Sequence, residues 1–268
     1  MRHGLAGGLL VSFVAAALAT CGCAPADVGQ DPNFIWWTDH ETGNLADWDQ
    51  GGSHWTYPQG QADLEVVTLP NPTRSGKYSL MSSVRSQSTG TQAAAQALRT
   101  GGLPTEAYYS AWYYLPSPIT QTTYWAFFQY RSRTDAADDS TALNVWDLEV
   151  LVDDNGAMYL SLYLHAFGSV STARTDAHTP SIPIGQWFQV EAFLRAVNDT
   201  TGRLTIWLNG TQIFDVKPQA TMPSDYIEWV VGGLSESINP DPAVVFVDDA
   251  AVTKRQLGPN FPVFWRGN

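Results

Sequence analysis

Residues able to exchange protons lie along one predicted strand, over residues 158–166. Tyr159, Tyr163 and His165 fall on one face of it, and Met158, Leu160, Leu162, Leu164 and Ala166 fall on the other. Side chains alternate between the two faces of a strand, so the polar row points away from the core. Imidazole and phenol groups serve as bases and acids in catalysis. We therefore interpret His165 and Tyr163 as a candidate base and acid, and Tyr159 as a candidate substrate-binding residue. The alternative for His165 is a structural histidine at a strand end, with its hydrogen bonds satisfied within the protein.

A second row could hold a carboxylate. Gln129, Arg131 and Arg133 are two residues apart and share a face by the same alternation. Guanidinium groups bind carboxylates through charge-assisted hydrogen bonds, and amides add a neutral donor. We interpret Gln129, Arg131 and Arg133 as candidate substrate-binding residues. The alternative is a solvated strand end.

Two acids form a third row. Asp147 and Glu149 point the same way from one strand, at roughly 7 Å. Paired carboxylates of glycosidases lie about 5–5.5 Å or about 6.5–9.5 Å apart, depending on mechanism. The segment faintly resembles the acidic strand of jelly-roll glucanases, but it lacks their first Glu and their second Glu on a bulge. We interpret both acids as substrate-binding residues, with an exposed acidic strand as the alternative.

The elements that must position these rows are strands. Alternation recurs from residue 34 onward, and no long helical stretch interrupts it. Asn155-Gly156 and Asn209-Gly210 separate alternating runs, as expected of tight hairpins. The chain has 268 residues, 44% of them hydrophobic, which suffices for one large all-β domain. We predict a single antiparallel β-sandwich over residues 34–254, with its site on the concave face of one sheet.

Several motifs resemble a known family in the same order along residues 34–254. They are WTDHETG at 37–43 with Trp48, YSAWYYLP at 109–116 with FFQ at 127–129, GQWF at 185–188 with GRLTIWLNG at 202–210, and VFVDD at 245–249. Together they resemble the heparin-lyase-like polysaccharide lyases, which are concanavalin A-like jelly rolls. Similar motifs also occur in laminin-G-like and lectin-like sandwiches.

The resemblance implies β-elimination on a uronate-containing polysaccharide, without a catalytic cofactor. In such lyases an Arg or Gln neutralises the uronate carboxylate, while His and Tyr exchange the proton. Gln129 matches the Gln of their Gln-x-His motif, but Arg131 stands at the His position, and residues 230–235 lack the usual Tyr. Two interpretations follow: a lyase in which Gln129 and Arg131 bind the carboxylate while His165 and Tyr163 exchange the proton, or a non-catalytic, lectin-like module that only binds the glycan.

The first 33 residues are predicted to be an export signal and a tether. Arg2 and His3 precede an apolar run, and LATC at 18–21 resembles the lipobox of bacterial lipoproteins. We expect a signal peptide over 1–20, lipidation of Cys21, a tether over 21–33 and a C-terminal tail over 255–268. Lipidation of Cys23 and ordinary cleavage near residues 24–26 are the alternatives. The protein would then be anchored to the bacterial cell envelope, or otherwise secreted.

Charge and ligand chemistry limit the partners. The formal net charge of −12 disfavours nucleic acid, whose binding requires neutralisation of phosphates. We expect a polysaccharide partner, membrane contact only through the lipid anchor, and a monomer. Glu41 in the opening turn and Asp248 in the closing strand are candidate ligands of a structural Ca²⁺, because similar sugar-binding modules join these two places with that ion. Calcium takes about 6–8 oxygen ligands.

Overall fold

The computed structural model describes residues 26–27, 31–49, 54–57, 61–133, 142–262 and 264–265. The described residues form strands and connecting turns, and they contain no helix. None of them therefore forms a helix long and apolar enough to cross a membrane. In chain order the strands are β1 (Ala26–Asp27), β2 (Phe34–Thr38), β3 (His54–Tyr57), β4 (Ala62–Thr68), β5 (Tyr78–Val84), β6 (Ala93–Thr100), β7 (Glu106–Tyr114), β8 (Gln121–Thr122), β9 (Trp125–Arg133), β10 (Ala142–Val152), β11 (Met158–Leu164), β12 (Ala173–Ala177), β13 (Trp187–Arg195), β14 (Arg203–Leu208), β15 (Thr211–Val216), β16 (Ile227–Ser235), β17 (Ile238–Asn239), β18 (Ala243–Thr253) and β19 (Phe264–Trp265).

Two large antiparallel sheets pack face to face. One has seven strands in the order β12-β11-β10-β9-β16-β6-β3, and the other has eight in the order β15-β14-β13-β7-β18-β5-β4, with β2 also paired to β18. Every pairing within these two sheets is antiparallel. Two short pairs, β1 with β19 and β8 with β17, lie outside them. The predicted all-β sandwich is confirmed.

The core lies between the sheets and contains the apolar face of each predicted strand. Leu160, Leu162 and Leu164 of β11 are almost fully buried there, as are Trp146 and Leu148 of β10. Each strand removes alternate side chains from water, which is why sequence alternation identifies the inward face. The polar rows on β9, β10 and β11 consequently lie on the other side of the seven-stranded sheet, as predicted.

The tight hairpin predicted between β14 and β15 is also confirmed. Asn209 and Gly210 both have positive φ, at 48° and 78°, and they connect the two paired strands. Asn and Gly are the residues that adopt this backbone conformation most readily.

The two ends of the chain are only partly described. The predicted signal peptide and Cys21 lie outside the described residues. Within the predicted tether, β1 pairs in parallel with β19. The predicted tail contacts the eight-stranded sheet: the backbone N–H groups of Leu257 and Gly258 donate to the carboxylate of Glu191, at 2.7 and 3.1 Å.

Candidate active site

The seven-stranded sheet brings the three predicted rows side by side. β10 lies between β9 and β11, and Asp147 is paired with Gln129 on one side and with Tyr163 on the other. One residue of each row therefore lies at the same place along the sheet.

His165 and Asp147 form the closest contact between the rows. His165 follows the last residue of β11, and its backbone N–H donates to the carbonyl of Val145 at 3.0 Å. Its Nε2 lies 2.7 Å from Oδ2 of Asp147. The imidazole is 35% exposed, whereas the Asp147 side chain is 4% exposed. The ring of Tyr163 stands perpendicular to the imidazole, with centroids 4.7 Å apart. A base and a phenol thus share one accessible place.

Gln129 is buried beside Asp147, its cross-strand neighbour. It is 1% exposed, and its Nε2 donates to Oδ1 of Asp147 at 2.6 Å. Its Oε1 accepts a hydrogen bond from the amide of Gln96 on β6. Both ends of the Gln129 amide are therefore bound within the protein. The predicted contact between Gln129 and a substrate carboxylate does not fit this arrangement. Sequence alternation identifies the face of the sheet on which a side chain lies, but it does not show how deeply that side chain is buried.

Arg131 and Arg133 share a buried acid. Glu228 of β16 is fully buried, and its Oε2 lies 3.5 Å from Nε of Arg131, while its Oε1 accepts from Nε of Arg133. The Arg131 side chain is 15% exposed. The Arg133 guanidinium stacks over the ring of Tyr226, 5.2 Å from its centroid. One buried carboxylate therefore interacts with both guanidinium groups.

A second ion pair lies on the other side of His165. Nη1 of Arg174, on β12, donates to Oε2 of Glu149 at 2.7 Å and to Oγ of Ser161 at 3.0 Å. The guanidinium also lies over the ring of Tyr163, 4.7 Å from its centroid. Burial raises the pKa of Glu149 to about 7, even though Arg174 acts in the opposite direction. Glu149 therefore titrates near neutral pH, close enough to His165 for their charges to interact.

These side chains border a groove that crosses the sheet. It consists of two depressions of about 440 and 220 Å³ that share Gln92, Asn144, His165 and Leu234. Arg131 and Gln96 line the larger depression. The residues that line the smaller one are Tyr124, Asp147, Glu149, Tyr163 and Arg174. His165 lies at the junction, where a chain lying along the groove would pass it. Tyr159 is set apart from these residues, and its ring packs against that of His178, with centroids 4.3 Å apart and the planes tilted by 31°.

Comparison with known proteins identifies the family. A family model described as polysaccharide lyase matches residues 40–251, which is most of the chain. The chain belongs to the polysaccharide lyase family. A comparison with curated protein sequences found no significant match.

Solved structures share the fold of this polysaccharide lyase family member. An endo-β-1,4-glucuronan lyase from the fungus Trichoderma reesei is 15% identical, with a TM-score of 0.64, over 85% of this chain and 99% of that one. An alginate lyase from Chlorella virus is 12% identical, with a TM-score of 0.54, over 83% and 100%. The cellulose-induced protein Cip1 is 16% identical, with a TM-score of 0.53, over 83% and 98%. At these identities the similarity concerns the fold.

Some residues of the polysaccharide lyase groove were missed by sequence reasoning. Arg174 lies on a short edge strand whose residues are nearly all exposed, so no alternation distinguishes it. Glu228 lies in a strand that is buried throughout. Its charge in an otherwise uncharged strand was the feature of the sequence that could have identified it. Gln96 was detectable by its place among alanines in β6, opposite in parity to the core residues Ala95 and Ala97. Tyr124 lies outside the alternating part of β9.

The predicted calcium ligands hold a loop of this polysaccharide lyase. Oε1 of Glu41 accepts from the backbone N–H groups of Lys77 and Tyr78, at 2.6 and 2.9 Å. Oδ2 of Asp248 accepts from the backbone N–H groups of Arg74 and Ser75, at 2.9 and 3.2 Å. In the described part of the chain, no group of three or more His, Cys, Asp or Glu side chains is arranged to hold a metal. These contacts do not form a ready calcium site, and the ion stays a prediction from the sequence.

Proposed function

We propose that the protein is a lyase that cleaves uronate-containing polysaccharide by β-elimination, with His165 as the base. One observation carries this proposal: the partly exposed imidazole rests on a buried carboxylate, beside a phenol, at the junction of the two halves of a groove. The family assignment supports a lyase. The geometry supports the enzymatic alternative over simple binding, because binding a sugar requires no His–Asp pair.

Substrate binding would use the larger depression for the reacting uronate. Arg131 lines it, and Asn144 is paired with Arg131 across β9 and β10. A guanidinium and an amide can donate hydrogen bonds to a carboxylate. Neutralising this group favours proton loss from the adjacent C5, because negative charge develops on the carboxylate as the C–H bond breaks. Gln129 takes no part in this contact, since its amide is bound from both sides.

Bond changes can then be assigned to two side chains. His165 takes the proton from C5, and the electron pair of that C–H bond forms the C4–C5 double bond. The C4–O4 bond breaks, and the departing oxygen takes a proton from the hydroxyl of Tyr163. The products are a new sugar end and an unsaturated uronate. General acid and base steps of this kind contribute about 10²–10⁴-fold each.

Cellular location is a separate proposal. We propose that the protein is exported and lipid-anchored at Cys21, on the basis of the charged start, the apolar run and LATC at 18–21. Mass spectrometry of the membrane fraction tests it, with a diacylated N-terminal Cys21 as the expected result. An intact Met1, or a soluble chain that starts beyond Cys23, would overturn the anchor.

Ultraviolet absorbance of the unsaturated uronate tests the activity. The purified protein is incubated with alginate, glucuronan and heparin, and we expect absorbance to rise on at least one of them. His165→Ala and Tyr163→Phe should each lower kcat at least 100-fold. The matched control is Tyr108→Phe, since Tyr108 lies on the other sheet against Phe193 and should leave kcat unchanged. No absorbance on any substrate, with retention on a glycan array, would instead establish a binding module.

Tyr124→Phe separates the two phenols that line the groove. Burial raises the pKa of Tyr124 to about 12, so this phenol stays protonated at any working pH. If Tyr163 is the acid, Tyr124→Phe retains most of kcat. A loss confined to Tyr124→Phe would transfer the role of acid to Tyr124.

A further inference from the structure

We propose that Gln96 and Gln129 are positioning residues that act through Asp147 to hold His165 in the tautomer with its proton on Nε2. In this tautomer the lone pair of Nδ1 is the base that faces the groove. The inference rests on the proposed function, since it concerns the base of that reaction. It differs from the role predicted for Gln129 from sequence, which was contact with the substrate.

The direction of every hydrogen bond in this chain of residues follows from Asp147. An ionised carboxylate accepts hydrogen bonds and donates none. The Gln129 group that lies 2.6 Å from Oδ1 of Asp147 must therefore be its NH₂. The Gln129 carbonyl then faces Gln96, whose NH₂ group is the donor. Turning either amide over would place two acceptors or two donors against each other.

The tautomer of His165 follows from the same argument. Oδ2 of Asp147 lies 2.7 Å from Nε2, so Nε2 must carry the proton. A neutral imidazole has one N–H and one lone pair, which leaves the lone pair on Nδ1. The imidazole is 35% exposed and borders both halves of the groove. Nδ1 is thus the nitrogen able to take a proton from a bound sugar.

Burial explains why two amides are needed under one carboxylate. Gln96, Gln129 and Asp147 are each at most 3% exposed. A buried carboxylate is costly unless its oxygens are hydrogen-bonded. Gln129 satisfies Oδ1 and leaves Oδ2 for His165, while Gln96 fixes the orientation of the Gln129 amide. The arrangement keeps Asp147 in place, with its side chain only 4% exposed at the smaller depression.

Nuclear magnetic resonance tests the tautomer without measuring activity. Long-range ¹H–¹⁵N correlation spectra of the full chain labelled at histidine nitrogens report which ring nitrogen carries the proton. The signals of His165 are assigned by their loss in His165→Ala. We expect the proton on Nε2 in the unaltered protein.

In Asp147→Asn, the new NH₂ group can donate to Nε2, and we expect the proton to move to Nδ1. The same variant should lower kcat by about 10³–10⁴-fold, as expected when a catalytic histidine is held in the wrong tautomer.

Kinetics test the two glutamines. In Gln129→Leu, Asp147 loses a donor and becomes a stronger acceptor for a protonated imidazole. We expect the acidic limb of the kcat/KM profile to move to higher pH, with kcat lowered about 10-fold and KM little changed. Gln96→Leu should act in the same direction more weakly. The matched control is Gln189→Leu, because Gln189 is equally buried on the other sheet and donates to Ser110 at 2.8 Å. It should change stability without changing the pH profile.

The outcomes separate this inference from the proposed function. A protein that is inactive on every substrate but keeps the proton on Nε2 would reject the function and retain the tautomer assignment. An active protein with the proton on Nδ1 would overturn the inference. An Asp147→Asn variant that keeps the Nε2 proton, or a Gln129→Leu profile that matches Gln189→Leu, would overturn it too. If Gln129→Leu does not fold, the Asp147→Asn variant tests the inference instead, because this substitution preserves the shape of the side chain at position 147.

Discussion

Nη1 of Arg174 lies 2.7 Å from Oε2 of Glu149, so a partly exposed guanidinium at the groove is held by an acid buried in the sheet. The carboxyl is 4% exposed and the guanidinium is 36% exposed. The two partners therefore differ in their access to water. Water can replace the carboxylate as a partner of Arg174, but it cannot replace the guanidinium as a partner of the buried Glu149. Loss of charge on Glu149 would leave Arg174 available to a substrate carboxylate.

The titration of Glu149 predicts a stability change with pH. Burial raises its pKa from 4.5 to about 7, so the folded chain holds a proton that the unfolded chain releases between these values. The contribution of Glu149 to stability is then full below about pH 4.5 and is lost as pH rises to about 7. In Glu149→Gln the substituted side chain carries no charge at any pH. We expect this variant to be about 3 kcal/mol more stable than the unaltered protein at pH 8 and little different at pH 4.

Urea unfolding at the two pH values measures this difference. The matched control is Glu65→Gln, since Glu65 is exposed on β4 and the same substitution there removes no buried carboxyl group. A Glu149→Gln variant that is less stable at pH 8 would mean that the ion pair with Arg174 outweighs the cost of burial.

Arg131 and Arg133 should differ in their effect on substrate binding. Arg131 lines the larger depression, whereas Arg133 stacks over Tyr226. Removing Arg131 deprives the uronate of a charged donor, a contribution of about 1.5–3 kcal/mol. We expect kcat/KM to fall roughly 10–100-fold in Arg131→Ala and less than that in Arg133→Ala.

Glu228 provides the control for this comparison. Either arginine substitution leaves the buried acid with one charged partner fewer, which destabilises the fold whatever the substrate does. The arginine variants are therefore repeated with Glu228→Gln, and kcat/KM is compared with that of Glu228→Gln alone. Equal losses for the two arginines would contradict the assignment of the uronate to the larger depression.

Calcium binding at Glu41 and Asp248 is measurable by thermal unfolding. The sequence predicts that Ca²⁺ raises Tm and that chelation lowers it, with no such response in Glu41→Gln. Binding would require the loop at residues 74–78 to release N–H groups that these carboxylates now accept. An unchanged Tm at millimolar Ca²⁺ would leave those hydrogen bonds as the role of both acids.

The sequence predicted which faces of the strands carry the site, because burial of one face imposes a period of two. That argument places Asp147, Tyr163 and His165 on the solvent-facing side, as observed. It does not give depth. Gln129 has the correct parity but is only 1% exposed and donates to Asp147.

Pairing between distant strands was also beyond sequence reasoning. Glu228 meets Arg131 because β16 pairs with β9, about a hundred residues apart in the chain. Arg174 meets Glu149 from an edge strand, where neither face is buried and no period arises. Alternation reports local burial, and neither of these contacts depends on it.

The position of Gln96 in the groove should depend on the absence of a side chain at Gly232. It lies in β16 with φ of +100°, and a Cβ added there would come 2.4 Å from the carbonyl oxygen of Ala95 and 3.2 Å from Cα of Gln96. Both atoms are backbone of β6, so Gly232→Ala must push β6 away and displace Gln96. We expect a loss of about 2–4 kcal/mol in the free energy of unfolding, together with lower kcat.

Gly185→Ala is the matched control, because Gly185 also has positive φ, at +69°, but a Cβ there meets no heavy atom of the described chain within 4 Å. It carries the backbone strain alone, about 1 kcal/mol, and should keep full activity. Equal urea midpoints for the two variants would show that β6 yields without cost and that its position does not determine the groove.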